Sequence, residues 1–188
     1  DYGSTELLVP TSDGTHVAGT NVIEDQAGAD IGVVTAYNLI DEIPISDTTE
    51  YIRQFANDAT KYAEVNFVDT LEADILGVMG EVNRASSSSG FSCNGAMVII
   101  QNDATEVGVL GTSAAPAAFT NAVAGYTRAV ITAPAGGWTQ DEVNALKGRI
   151  GFSTDTNPIP KFHAFALEVA YVLGFGALLG GERNVLVL

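Results

Sequence analysis

The stretch "GWTQDEVNALKGRIGFSTDTNPIPKFHAFALEVAYV", residues 137–172, decides the fold class, because each of its parts carries a distinct structural signal. Thr139 and Glu142 have the spacing of a capping box, in which each side chain accepts a hydrogen bond from the other residue's main-chain N–H. A helix is therefore predicted to begin at Thr139. Gly148 and Gly151 limit it to about two turns, and a strand around "RIGFS" and a turn at "TDTNPIP" are predicted to follow.

The end of this stretch alternates in the manner of a β-strand. In "KFHAFALEVAYV", large apolar side chains fall on one face and mostly small ones on the other. The large face comprises Phe165, Leu167, Val169 and Tyr171, and the small face comprises Ala164, Ala166, Glu168 and Ala170. Such a strand is predicted to pack its large face on the core and to have another group close against its small face.

Upstream of residue 137, short strand patterns recur between clusters of turn residues. "YAEVNFVD" alternates in polarity, "GAMVIIQND" followed by "ATEVGVLG" predicts a hairpin, and "DILGVMGEVNRA" and "NAVAGYTRAVITAP" predict further strands. "IGVVTAYNLI" is predicted to form one strand near the N-terminus. Short strands at near-regular spacing with one brief helix predict an all-β fold, a jelly-roll-like β-sandwich.

The chain is predicted to divide into three parts. Residues 1–45 are rich in turn-forming sequence and are predicted to form an extended N-terminal arm that contributes little to the core. Residues 46–172 are predicted to form the β-sandwich domain, and residues 173–188 an apolar C-terminal tail. A chain of 188 residues is long enough for one domain with a sizeable core.

Composition limits the classes of partner. Eight basic against 23 acidic residues give a formal net charge of −15, and no Lys or Arg precedes Arg53. Because affinity for phosphate depends on Lys and Arg, binding to nucleic acid or to an anionic membrane is not expected. Neither a signal peptide nor a sufficiently long apolar run is apparent, so a soluble protein is expected. The acidic N-terminal segment is interpreted as a solvated face or, alternatively, as an arm that lies on a basic partner surface.

Candidate groups for catalysis or metal binding are few. Cys93 is the only cysteine, which excludes an internal disulfide and a Cys-based zinc site, and it is interpreted as a small buried side chain. His16 and His163 are the only histidines. No catalytic residue, metal or organic cofactor is predicted, while a Cys-His pair and paired carboxylates stay open as alternatives. "QNDATE" and "STDTN" are interpreted as turns and not as calcium loops.

The stretch at residues 137–172 also resembles a known family. A helix start "W-T-x-x-x-[IV]-x-A-L", then a strand, a turn and a strand ending "L-E-V-x-Y-V" is similar to the pattern of tailed-bacteriophage virion proteins. The matching residues are Trp138, Thr139, Val143, Ala145, Leu146, Leu167, Glu168, Val169, Tyr171 and Val172. The resemblance covers roughly the last third of the chain, and residues 173–188 continue beyond it.

This resemblance implies a jelly-roll or concanavalin-like sandwich with a structural role in the virion. The predicted function is a non-enzymatic capsid decoration (cement) protein on the outer surface of the capsid. Its expected partners are the major capsid protein or other virion proteins, together with further copies of itself in a homo-oligomer. The alternative is a tail- or fibre-associated module that binds a carbohydrate or a receptor.

The C-terminal tail is the predicted partner interface. Its apolar side chains would be an aggregation hazard in solvent, since "NVLVL" is a bare β-forming run. The predicted interface residues are Leu178, Leu179, Val185, Leu186, Val187 and Leu188. "RNVLVL" is predicted to add as an edge strand to another chain, with the glycines of "GALLGG" as flexible joints.

Overall fold

The computed structural model describes residues 3–20, 22–31, 35–41, 50–86, 92–120, 125–155 and 157–173. This part of the chain forms twelve β-strands and one short α-helix. The strands are β1 (Gly3–Leu8), β2 (Pro10–Asp13), β3 (Ile23–Asp25), β4 (Ile52–Gln54), β5 (Tyr62–Phe67), β6 (Ile75–Ser86), β7 (Ser92–Gln101), β8 (Thr105–Leu110), β9 (Ala117–Thr120), β10 (Gly125–Ile131), β11 (Lys147–Gly151) and β12 (Pro160–Val172), and the helix is α1 (Gln140–Asn144). The prediction of an all-β sandwich with one short helix is confirmed.

The strands form two antiparallel sheets of six strands each. Sheet A has the order β10-β6-β12-β4-β3, and β1 also pairs with β12. Sheet B has the order β2-β5-β11-β7-β8, and β9 also pairs with β7. Most connections between successive strands lead from one sheet to the other, so the two sheets are built together.

Strand β12 is the longest strand and organises sheet A. It pairs with β6 along one edge, and with β4 and β1 along the other. Between β4 and β1, the carbonyl of Ile40 accepts a hydrogen bond from the main-chain N–H of Phe165 at 3.0 Å. Phe165, Leu167 and Val169 are fully buried in the main core, as the alternation predicted.

Two glycines allow the sheets to approach each other closely. A Cβ atom on Gly148 of β11 would lie 2.2 Å from Cε1 of Phe165, which extends from sheet A. A Cβ atom on Gly80 of β6 would lie 2.4 Å from Cγ2 of Val109, which extends from sheet B. Each sheet therefore receives a large side chain of the other sheet at a position where only glycine leaves room.

Several local predictions are confirmed. The capping box is present: the N–H of Glu142 donates to the hydroxyl of Thr139 at 3.2 Å, and the N–H of Thr139 donates to Oε2 of Glu142 at 2.9 Å. The predicted hairpin is the β7–β8 pair. Its turn contains Asn102 and Asp103 with φ of 53° and 60°, the left-handed backbone that these residue types tolerate best after glycine.

The prediction that residues 1–45 contribute little to the core is wrong. Strand β1 pairs with β12 and β3 with β4 in sheet A, while β2 pairs with β5 in sheet B. The core residues from this segment are Leu8, Ala18, Ile23, Ile31, Ala36 and Ile40. The turn-rich sequence conceals short strands because their pairing partners lie far away along the chain.

The strand predicted at "IGVVTAYNLI" is also corrected. Tyr37–Leu39 form a 3₁₀ turn, in which the N–H of Leu39 donates to the carbonyl of Ala36 at 3.1 Å. The N–H of Tyr37 donates to Oδ1 of Asp13 at 3.0 Å, which ties the turn to β2. Residues 32–34 of this stretch lie outside the described residues.

Leucines 7 and 8 test whether β1 belongs to the core, because Leu8 is 2% exposed and Leu7 is 37% exposed. Leu8→Ala is expected to lower the free energy of unfolding by about 2–4 kcal/mol, since it leaves a cavity in the core. Leu7→Ala is expected to cost less than about 1 kcal/mol. Urea unfolding of dilute protein measures both, and equal small losses would show that β1 does not pack as described.

Candidate interaction surface

The predicted interface residues Leu178, Leu179, Val185, Leu186, Val187 and Leu188 lie outside the described residues, so their role stays a prediction. The structure shows where the described part of the chain ends, directly before residue 174. Strand β12 ends at Val172, which pairs with Gly3 of β1. The surfaces around this end of sheet A therefore lie beside residue 173, the last described residue.

The outer face of sheet A carries an apolar patch. The strand register places Val130, Met79, Glu168 and Leu7 in one row across β10, β6, β12 and β1. The next row contains Gly77, Ala170 and Thr5. We call Leu7, Gly77, Met79, Val130 and Ala170 the sheet-A patch. Val130 is 78% exposed, so the patch presents apolar surface to solvent.

A shallow depression of about 170 Å³ lies within the sheet-A patch. Its lining consists of Gly77, Val78, Met79, Val130, Glu168 and Ala170. Gly77 leaves the depression open, because a Cβ atom there would have no neighbour within 4 Å. The small face of β12 thus borders a surface to which an extended apolar group can bind.

Glu168 is the only charged residue that lines this depression. Among the described residues, none donates a hydrogen bond to its carboxylate or forms an ion pair with it. Its charge acts at longer range on Arg128, where it adds to the larger effect of Glu81 in raising the pKa of the guanidinium. The carboxylate is therefore available to a cation that binds over the patch.

Next to the patch, a buried carboxylate is held by an arginine. Nη2 of Arg128 lies 2.9 Å from Oε1 of Glu81, whose side chain is only 2% exposed. Oε2 of Glu81 and the side-chain amide of Asn83 are buried, and neither finds a hydrogen-bond partner among the described residues. Buried polar atoms are normally hydrogen-bonded. The described residues supply no such partner for these atoms of Glu81 and Asn83.

A second depression lies where the chain leaves β12. Its lining consists of Ala73, Asp74, Ile75, Leu76, Trp138 and Val172. Leu76 is 64% exposed, and the indole N–H of Trp138 is buried without a hydrogen-bond partner in the described part of the chain. This second depression has a mixed polar and apolar lining, in which Leu76 provides exposed apolar surface near the end of β12.

The outer face of sheet B differs from that of sheet A in its exposure. Its apolar residues are covered by other parts of the chain. Ala96, Val98 and Ile100 are fully buried and pack with Phe152 and Tyr62. The segment at residues 111–116 folds back over β8, since a Cβ atom on Gly108 would lie 2.5 Å from the carbonyl oxygen of residue 111. The sheet-A patch has no comparable cover among the described residues.

A charged cluster on sheet B has a structural role. Oε2 of the buried Glu64 accepts a hydrogen bond from Nε of Arg149 at 2.6 Å, and its Oε1 accepts one from the N–H of Thr15 at 2.9 Å. The guanidinium lies 4.5 Å from the ring centre of Tyr62. Nδ1 of His16 accepts the main-chain N–H of Glu64 at 3.0 Å. These contacts bind the segment after β2 to β5.

The remaining candidate groups from the sequence, Cys93 and His163, are both buried. Cys93 is 1% exposed, in agreement with its interpretation as a buried side chain. The neighbouring Arg84 is partly buried, and burial lowers its pKa to about 10. Nδ1 of His163 lies 3.2 Å from the carbonyl oxygen of Glu50, and its ring packs edge-on against Tyr51.

No metal site emerges from the described residues, since they contain no group of three or more His, Cys, Asp or Glu side chains suited to a metal ion. The helix in the described part of the chain is too short to cross a membrane. Comparison with known proteins gives no match to a family model and none to a curated protein. The resemblance to phage virion proteins therefore stays a prediction, and the described surfaces carry the functional argument.

His163 gives a prediction for the dependence of stability on pH. Burial lowers the pKa of His163 from 6.5, against the opposing effect of its hydrogen bond with Glu50. The unfolded chain therefore binds this proton more readily, and the free energy of unfolding falls as the pH falls from about 7 through the folded-state pKa. His163→Gln is expected to reduce that loss in urea titrations at a series of pH values. An unchanged slope between about pH 7 and pH 5 would contradict the lowered pKa.

Proposed function

We propose that this chain is a non-enzymatic structural protein of a virion, in the class of capsid decoration proteins. The observation that carries the proposal is the sheet-A patch, where apolar residues of four adjacent strands lie on an open face. Exposed apolar patches of this kind mark surfaces that bind other proteins. The resemblance of residues 137–172 to virion proteins supplies the class of assembly.

The shape of the patch favours a protein partner over a small molecule. Its depression of about 170 Å³ is smaller than typical ligand pockets, which measure roughly 300–1,000 Å³. An open sheet face with an apolar depression can take up an extended segment of a protein subunit. A subunit that binds only the assembled, folded shell stabilises that shell by mass action. The major capsid protein, other virion proteins and further copies of this chain are the proposed partners.

The acidic N-terminal segment is a weaker candidate for partner contact. The carboxylate of Glu24 pairs with Arg53 at 2.8 Å. Oδ1 of Asp25 accepts hydrogen bonds from the N–H groups of Ala27 and Ala29, both at 2.8 Å. These two carboxylates are occupied inside the domain, which leaves the sheet-A patch as the better supported contact surface.

Val130→Asp tests the patch directly. We expect this change to weaken self-association at least about tenfold, because it places a charge on an apolar contact. Sedimentation velocity over a range of concentrations measures the association. Since Val130 is 78% exposed, the free energy of unfolding is expected to change by less than about 0.5 kcal/mol.

The matched control is Val17→Asp, which adds the same charge beside sheet B at a residue that is 37% exposed and bridges Tyr62. The control variant is expected to associate like the unmodified chain. Equal weakening by both substitutions would attribute the effect to net charge and would count against the patch.

Location on a particle tests the proposed class. Cryo-electron microscopy of intact particles from the virus whose genome encodes this chain is expected to show the sandwich on the outer surface of the head. Location on a tail or fibre, together with binding on a glycan array, would support the carbohydrate- or receptor-binding alternative. Absence from purified particles would overturn the virion proposal.

A further inference from the structure

We propose that the sheet-A patch of one copy binds the segment of residues 174–188 of a neighbouring copy, with Arg183 of that segment paired to Glu168. The inference rests on the proposed function, because it specifies how copies of the chain would join.

The size of the patch favours a peptide segment as occupant. Four strands spaced about 4.8 Å apart and two rows of side chains about 7 Å apart give an area of roughly 300 Å². A stable contact between two globular faces buries about 800 Å² on each partner. A single extended segment needs far less surface, because alternate side chains insert while the others face away.

The chain contains one segment with suitable chemistry. Residues 174–188 begin directly after the last described residue, and 15 extended residues span up to about 50 Å. The apolar side chains of the segment are Phe175, Ala177, Leu178, Leu179, Val185, Leu186, Val187 and Leu188. Its charged residues are Glu182 and Arg183. Apolar side chains match the lining of the depression, and the single cation matches its single carboxylate.

Glu168 and Arg183 provide the charge complementarity that fixes the position of the segment. Glu168 lies between Met79 and Leu7 in the row of the patch that begins at Val130, and it receives no hydrogen bond from any described residue. An arginine can bind a carboxylate through two parallel hydrogen bonds and lay its apolar stem on the surrounding surface. Partial removal from water makes such a pair stronger than one on an open surface.

The geometry favours a neighbouring copy as the source of the segment, and the apolar side chains of the patch place the contact on the face of the sheet. Strand β12 passes the patch at Glu168 and Ala170 before it reaches Val172, so residue 173 lies beyond its own patch. The adjacent edge strand β10 packs beside β8 of sheet B, which restricts main-chain pairing along that edge. The inference thus replaces the edge-strand addition predicted from the sequence with binding across the outer face.

A charge-swap experiment on the full chain tests the proposal. Glu168→Arg places two cations opposite each other, and Arg183→Glu places two carboxylates opposite each other. Each single variant is expected to weaken self-association about tenfold or more in sedimentation velocity. An equimolar mixture of the two variants is expected to associate within about threefold of the unmodified chain, because each supplies the complement of the other. The double variant is expected to recover as well.

Each alternative outcome overturns the proposal. Normal self-association of the single variants would show that Glu168 and Arg183 do not form the proposed contact. Recovery in the double variant without recovery in the mixture would show that the segment binds its own chain. An unmodified chain that stays monomeric at all concentrations would exclude the contact between copies.

Asp69→Arg is the matched control, since it makes the same change in charge at an exposed position away from the patch, beside Phe67 of sheet B. It is expected to leave association unchanged, and urea unfolding checks that every variant stays folded. Because these measurements use the free protein in solution, they are independent of particle location. Absence from virions would refute the proposed function while leaving the contact between copies standing.

Discussion

The close approach of two large side chains to two glycines is the contact on which the rest of the structure depends. Phe165 fills the space above Gly148 and Val109 fills the space above Gly80, so each sheet is fitted to the other at two points. These contacts fix which residues of β12 face inwards. Because side chains alternate along a strand, a slip of one residue would exchange the two faces. The outward position of Glu168 and Ala170 is therefore a consequence of the core.

Three of the eight basic residues share one structural role. Arg53, Arg149 and Arg128 each pair with a buried glutamate, respectively Glu24, Glu64 and Glu81. In each pair the side chain of the glutamate is at most 6% exposed, and it is less exposed than the arginine. An isolated buried carboxylate is costly, so these arginines make the burial tolerable. Because each pair cancels one cation against one anion, the formal net charge of −15 is carried by the other ionisable groups of the chain.

Local signals in the sequence predicted the parts of the fold that local interactions determine. The capping box at Thr139, the alternation of β12 and the β7–β8 hairpin depend on neighbouring residues, and all three are present. Strands β1 to β3 were missed because their partners are distant, and "PTSD" in β2 has little strand propensity of its own. The same reason limits prediction of the patch. Its small face on β12 was visible in the sequence, but its neighbours Val130 and Leu7 come from the register of other strands.

The pairing of β1 with β12 also has a consequence for biosynthesis. Residues 3–8 leave the ribosome well before the strand that pairs with them, residues 160–172. Sheet A cannot close until β12 has emerged, and sheets that depend on such distant pairings assemble slowly. The nascent chain therefore carries unpaired strand edges from the synthesis of β1 until that of β12. Before β12 is made, premature contact between unfinished chains is the main hazard.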